Sequence, residues 1–74
     1  MEINVESKKK LFLARYGDAQ HLSQSLADED YEVRIAALSN NLADEVIFKT
    51  ALKDFDLRVR QAAENLLKSS RKPK

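Results

Sequence analysis

An all-α fold follows from three features of the chain. It contains one glycine and one proline in 74 residues, where a β-protein of this size needs many more turn formers. Its apolar residues recur at helical spacing in five short segments. It also matches itself at an offset of 26 residues, the mark of stacked helical pairs. Five short helices in a right-handed stack are expected, as about two and a half pairs.

The first helix is expected over 8 to 16, where Leu11, Phe12, Leu13 and Tyr16 carry the apolar pattern and Ser7 is placed to cap. Gly17 follows it as a left-handed stop. Helices over 19 to 27, 31 to 40, 45 to 53 and 57 to 68 begin after Asp18, Asp30, Asp44 and Asp56. An aspartate there satisfies free amides and favours the positive end of the helix dipole. Residues 69 to 74 hold no hydrophobe and contain Pro73, so a domain over 1 to 68 with a flexible basic tail is expected.

The internal match is closest between residues 26 to 37 and 52 to 63, Leu-Ala-Asp-Glu-Asp-Tyr-Glu-Val-Arg-Ile-Ala-Ala and Leu-Lys-Asp-Phe-Asp-Leu-Arg-Val-Arg-Gln-Ala-Ala, identical at seven of twelve positions. It runs back through Leu22 and Phe48 to Asp18 and Asp44. A weaker half-repeat pairs Leu11-Phe12 with Ala37-Leu38 and Tyr16-Gly17-Asp18 with Leu42-Ala43-Asp44. Asp30 and Asp56 can cap the helices after them, and Ala36-Ala37 and Ala62-Ala63 let neighbouring helices approach closely. Arg34 and Arg60 lie one turn inside, within reach of an aspartate in an adjacent turn. A structural ladder of Asp28, Arg34, Asp54 and Arg60 is expected, in preference to an arginine pair that holds a ligand.

These blocks resemble HEAT-type repeats, and still more the short leucine-rich repeat variant, because the period is below the usual HEAT length and Asn40 and Asn65 follow the Val-Arg-x-Ala-Ala segments. The resemblance covers about residues 18 to 67. It implies that Asp-x-Asp closes the turn within a helical pair, that Val-Arg-x-Ala-Ala opens the second helix, and that the stack is a short, curved α-solenoid which binds other macromolecules. Neither turn here contains proline, and the array is short.

On a helical wheel, residues 31 to 40 show two apolar arcs: Val33, Ala36 and Ala37, then Tyr31, Ile35 and Leu38. Such a helix is covered on both sides. Residues 57 to 68 keep the first arc as Val59, Ala62, Ala63 and Leu66, while the second becomes Leu57, Gln61 and Glu64. That polar side suits the end of a stack.

Composition, 43% apolar and 34% charged, is that of a soluble globular chain. A chain this short buries only about 60% of its unfolded surface and has little room for a catalytic cavity. No enzyme and no cofactor are expected. The chain contains no cysteine, which suits a reducing compartment. It has no signal-peptide pattern and no apolar run near the ~18 residues that span a bilayer, so a cytoplasmic location without membrane contact is expected. His21 is the single histidine and reads as an ordinary helix residue, so no metal site is expected. Asp28, Glu29, Asp30 and Glu32 lack EF-hand spacing and read as a helix cap.

Two surfaces remain as candidates. Ile3, Val5, Leu11, Phe12, Leu13 and Tyr16 surround most of the first helix, so either residues 1 to 6 fold back over it or a docking or self-association patch is exposed. Phe12, Leu13 and Tyr16, rimmed by Lys8 and Lys9, are the protein-interaction candidates. The net charge of +1 is segregated: +2 over residues 1 to 17, −6 over 18 to 56 and +5 over 57 to 74. Arg58, Lys68, Arg71, Lys72 and Lys74 are therefore candidate phosphate contacts. The expected function is a small adaptor or inhibitor that docks on a larger protein, as a monomer or weak homodimer. The alternative is a nucleic-acid-binding accessory protein that uses the basic C-terminal helix and tail.

Overall fold

The computed structural model describes residues 5–70, with side chains from 7 to 69. Five helices follow one another: α1 (Val5–Tyr16), α2 (Ala19–Leu26), α3 (Tyr31–Leu38), α4 (Glu45–Ala51) and α5 (Leu57–Ser70), with no strand among the described residues. The 26-residue offset survives in the backbone: α2 and α4 start 26 residues apart, as do α3 and α5.

Aspartate caps set the helix starts. The carboxylate of Asp18 accepts from the His21 amide at 3.0 Å, that of Asp30 from Glu32 at 2.9 Å, that of Asp44 from Ile47 at 3.0 Å and that of Asp56 from Arg58 at 2.9 Å. Ser7 has no such place, because α1 is already helical at Val5. The three middle helices are shorter at their C-terminal ends than the apolar pattern predicts. Each tightens there, as when the Ser39 amide donates to Ala36 and the Asn40 amide to Ala37. α5 runs longer than expected. Ser69 and Ser70 belong to it instead of to a tail, and the remaining tail positions, 71 to 74, lie outside the described residues.

Gly17 ends α1 without a positive φ; its amide still donates to the Leu13 carbonyl at 2.8 Å. The position needs glycine for volume. A Cβ there would press on the Leu13 carbonyl oxygen and sit 2.6 Å from the His21 Cβ.

Packing places α1, α3 and α5 in one row, with α3 against α1 on one side and α5 on the other. α2 packs on α1 and α3, and α4 packs on α5. Two apolar clusters result. Ala14, Leu22, Val33, Ala36 and Ala37 form the first, and Leu38, Phe48, Ala51, Val59 and Ala63 the second. Tyr31 and Ile35 pack against the second cluster, so both arcs of α3 are covered. Leu26 and Ile47 touch both clusters. Alanine at the fully buried positions 14, 37 and 63 lets the row close up.

The half-repeat register differs from the one expected. The fully buried residue of α1 is Ala14, three positions beyond Leu11, which the 26-residue offset pairs with Ala37. Unequal connections are the cause: two residues join α1 to α2, and six join α3 to α4. The longer connection carries Asn40, which is buried and reaches back to α1. Its Nδ2 donates to the carbonyls of Ala14 at 2.9 Å and Gly17 at 3.1 Å, while its Oδ1 accepts from the Leu42 amide at 2.8 Å. Asn65 does nothing comparable, being exposed within α5.

Candidate interaction surface

α1 turns one side to α3 and leaves the other bare. With Ala14 buried and Leu11 packed on the first cluster, the opposite side of the helix carries Phe12 and Tyr16, one turn apart. They are 62% and 70% exposed, and their ring centroids lie 5.0 Å apart at an interplanar angle of 50°, a geometry in which aromatic pairs attract. Exposed Lys8 and Lys9 precede Phe12 by one turn on the same side. Leu13 is not part of this surface. It is half-buried in the seam between α1 and α2, beside His21 and Ser25. Val5 and Glu6 continue the helix without turning back; Ile3 and the side chain of Val5 lie outside the described residues.

The Asp–Arg group lies where the turns of neighbouring pairs meet. Arg34 is 6% exposed and donates from all three guanidinium nitrogens. Nε and Nη2 donate to the two carboxylate oxygens of Asp54 at 2.9 and 3.2 Å, Nη1 donates to the Asp28 carbonyl at 2.7 Å, and the Phe55 ring lies 4.9 Å away. Asp28 and Asp54 each also fold their own turn, accepting the amides of Asp30 and Asp56 at 2.9 Å. Arg60 repeats only part of this pattern. Its Nη1 donates to the Asp54 carbonyl at 2.6 Å, and no carboxylate meets its remaining edge among the described residues. At the other end Lys10 takes the arginine's place, 3.4 Å from Asp28. These contacts join the helical pairs, and with Arg34 buried they engage all three of its guanidinium nitrogens within the fold.

The basic end does not form one surface among the described residues. The Arg58 Cζ sits over the Tyr31 ring, 3.5 Å from its centroid, and the side chain donates from Nε and Nη2 to Asp56 at 3.1 Å. Hydrogen bonds from the Arg58 side chain and then its amide hold the Asp56 carboxyl below its ordinary value, and the same ion pair raises Arg58. Lys68 is exposed ten residues further along α5, about 15 Å away. Arg71, Lys72 and Lys74 lie outside the described residues.

His21 pairs with its own cap. Its Nδ1 is 2.9 Å from Asp18 Oδ1, and the amide and ring contacts of His21 lower the Asp18 carboxyl. No group of three or more histidine, cysteine or acidic side chains among the described residues is arranged to hold a metal ion. No helix among them is long and apolar enough to cross a membrane.

Sequence reasoning missed a second exposed apolar stretch, Leu42 and Val46. Val46 borders a groove with Leu26, Leu38 and Ile47. It opens because α2 and α4 do not pack closely on each other. The apolar run Val46-Ile47-Phe48 was a signal for it, since one side of so short a helix buries only part of that run. Comparison with protein-family models, with curated proteins and with solved structures gives no match to this chain.

Proposed function

We propose that the chain is a protein-interaction module without chemistry of its own, a short α-solenoid of the HEAT-like or leucine-rich variant kind that works as an adaptor or inhibitor in the cytoplasm. One observation carries this reading: Phe12 and Tyr16 stand exposed and in mutual contact on a helix whose other side is buried. Two rigid aromatic rings ordered before binding provide large contact area with little side-chain entropy left to lose. Lys8 and Lys9 beside them favour an acidic rim on the partner.

The test is retention of proteins from the native cell extract by the chain and by its Phe12→Asp/Tyr16→Asp variant, with and without nuclease and over a salt series. The reading predicts a protein that is retained after nuclease treatment, changes little with salt and is lost with the double variant. Binding that needs nucleic acid and falls linearly on a log-log plot against salt would instead support phosphate recognition by the basic end. Retention indifferent to the double variant would remove α1 from the account.

A further inference from the structure

We propose that α5 is a self-association surface on which a second copy of this chain docks, the two α5 helices running antiparallel with Arg60 of each copy on Glu64 of the other. The surface is separate from the aromatic pair on α1, so the inference does not rest on the docking role proposed above.

The outer arc of α3, Tyr31, Ile35 and Leu38, is covered by α5. The corresponding arc of α5 is Leu57, Gln61 and Glu64, continued one turn later by Lys68, and all four are exposed. Leu57 is an apolar group 56% open to solvent on this otherwise polar stripe. Arg60 flanks the stripe, oriented by its bond to the Asp54 carbonyl, with Nε and Nη2 carrying no carboxylate among the described residues. The same edge of Arg34 grips Asp54 with two hydrogen bonds. Arg60 thus presents a guanidinium already held in the orientation that binds a carboxylate within this molecule.

Charge and shape select the occupant. Arg60 and Glu64 are one helical turn apart and of opposite sign, so the stripe is complementary to itself when reversed. A two-fold axis crossing the exposed side of α5 midway between Arg60 and Glu64 sets Arg60 of each copy opposite Glu64 of the other. The same axis sets Leu57 opposite Leu67. Leu67 and Leu52 line a groove between α4 and α5 together with Glu45, Lys49, Glu64 and Lys68, and Leu57 of the second copy meets the two leucines in that otherwise charged groove. A single helix-on-helix contact buries less than the ~1,200 Å² of stable interfaces, so the dimer is weak and concentration-dependent.

Sedimentation equilibrium of the full chain from about 10 µM to about 1 mM tests this. The expected average mass rises from 8.5 kDa toward twice that value. Glu64→Arg alone and Arg60→Glu alone each weaken association at least tenfold, and an equimolar mixture of the two variants restores it, because each then supplies the charge the other lacks. Far-UV circular dichroism checks that the variants are folded. If Arg60→Glu unfolds through loss of its bond to Asp54, Glu64→Gln and Glu64→Arg, which keep Arg60, carry the test, with association weaker for Glu64→Gln and weaker again for Glu64→Arg. A chain that stays at 8.5 kDa at the highest concentration, or a dimer indifferent to Glu64→Arg, or one broken by Phe12→Asp/Tyr16→Asp, overturns the proposal.

Discussion

Gly17 separates two reasons for a glycine. Its backbone is in an ordinary region, so replacement by alanine would stabilise the chain by about 0.4–1 kcal/mol if only unfolded-state freedom counted. The Leu13 carbonyl and the His21 Cβ leave no room for the added carbon, and that clash wins. Gly17→Ala is expected to destabilise by about 1–3 kcal/mol, measured by urea denaturation; a gain would show that α1 and α2 are less closely joined. Asp18 and Asp56 provide a second test at this scale. Hydrogen bonds to the charged form lower both carboxyls in the folded protein, so the unfolded chain binds more protons in acid. The stability they contribute is complete above the ordinary carboxyl value of about 3.9 and is lost as pH falls through the lower folded values. Asp56→Asn should flatten the loss of stability between about pH 4 and about pH 2; a slope as steep as that of the unchanged chain would contradict the Asp56–Arg58 pairing.

Between elements, the same residue type does unequal work. Arg34 ties α3 to the turn before α5 through a buried, two-pronged ion pair, whereas Arg60 holds only a carbonyl of its own turn. Removing one partner of a buried pair leaves an uncompensated charge and costs about 3 kcal/mol or more, against about 1 kcal/mol for one hydrogen bond. Arg34→Ala should therefore lower unfolding stability by about 2 kcal/mol more than Arg60→Ala, with equal losses contradicting this assignment. Much at this scale was legible in the chain. Capping by Asp18, Asp30, Asp44 and Asp56 follows from residue chemistry, and the reach of Arg34 to a neighbouring aspartate follows from the duplicated blocks. The placement of α1 on α3 did not follow, because it depends on two connections of different length. Asn40 escaped for a related reason: its partners are carbonyl groups at the end of α1, and backbone acceptors leave no trace in side-chain identity. Gly17 carries no sign of its crowding either, since the neighbour it must clear is set by how α2 folds back.

Across the molecule, the weak point of each helix is answered by another. Seven or eight residues make α2, α3 and α4, lengths at which an isolated helix is marginal in water. α3 persists because the two apolar clusters flank it and Arg34 and Asn40 tie its ends to other elements. The exposed side of Phe12 and Tyr16 depends on the same arrangement, since α1 is fixed by burial of Ala14 and Leu11 against the first cluster. Their exposure was legible as an excess of apolar groups on α1, though Leu13 was assigned to the wrong side of it. Native-state amide hydrogen exchange tests this dependence most directly. The amides of Ala36, Ala37 and Leu38 should exchange only through global unfolding, with the same opening free energy as the urea transition. Exchange of those amides at the rates of α2 or of the C-terminal turn of α5, well below the global value, would mean that α3 opens alone and that interlocking neighbours do not hold the fold together.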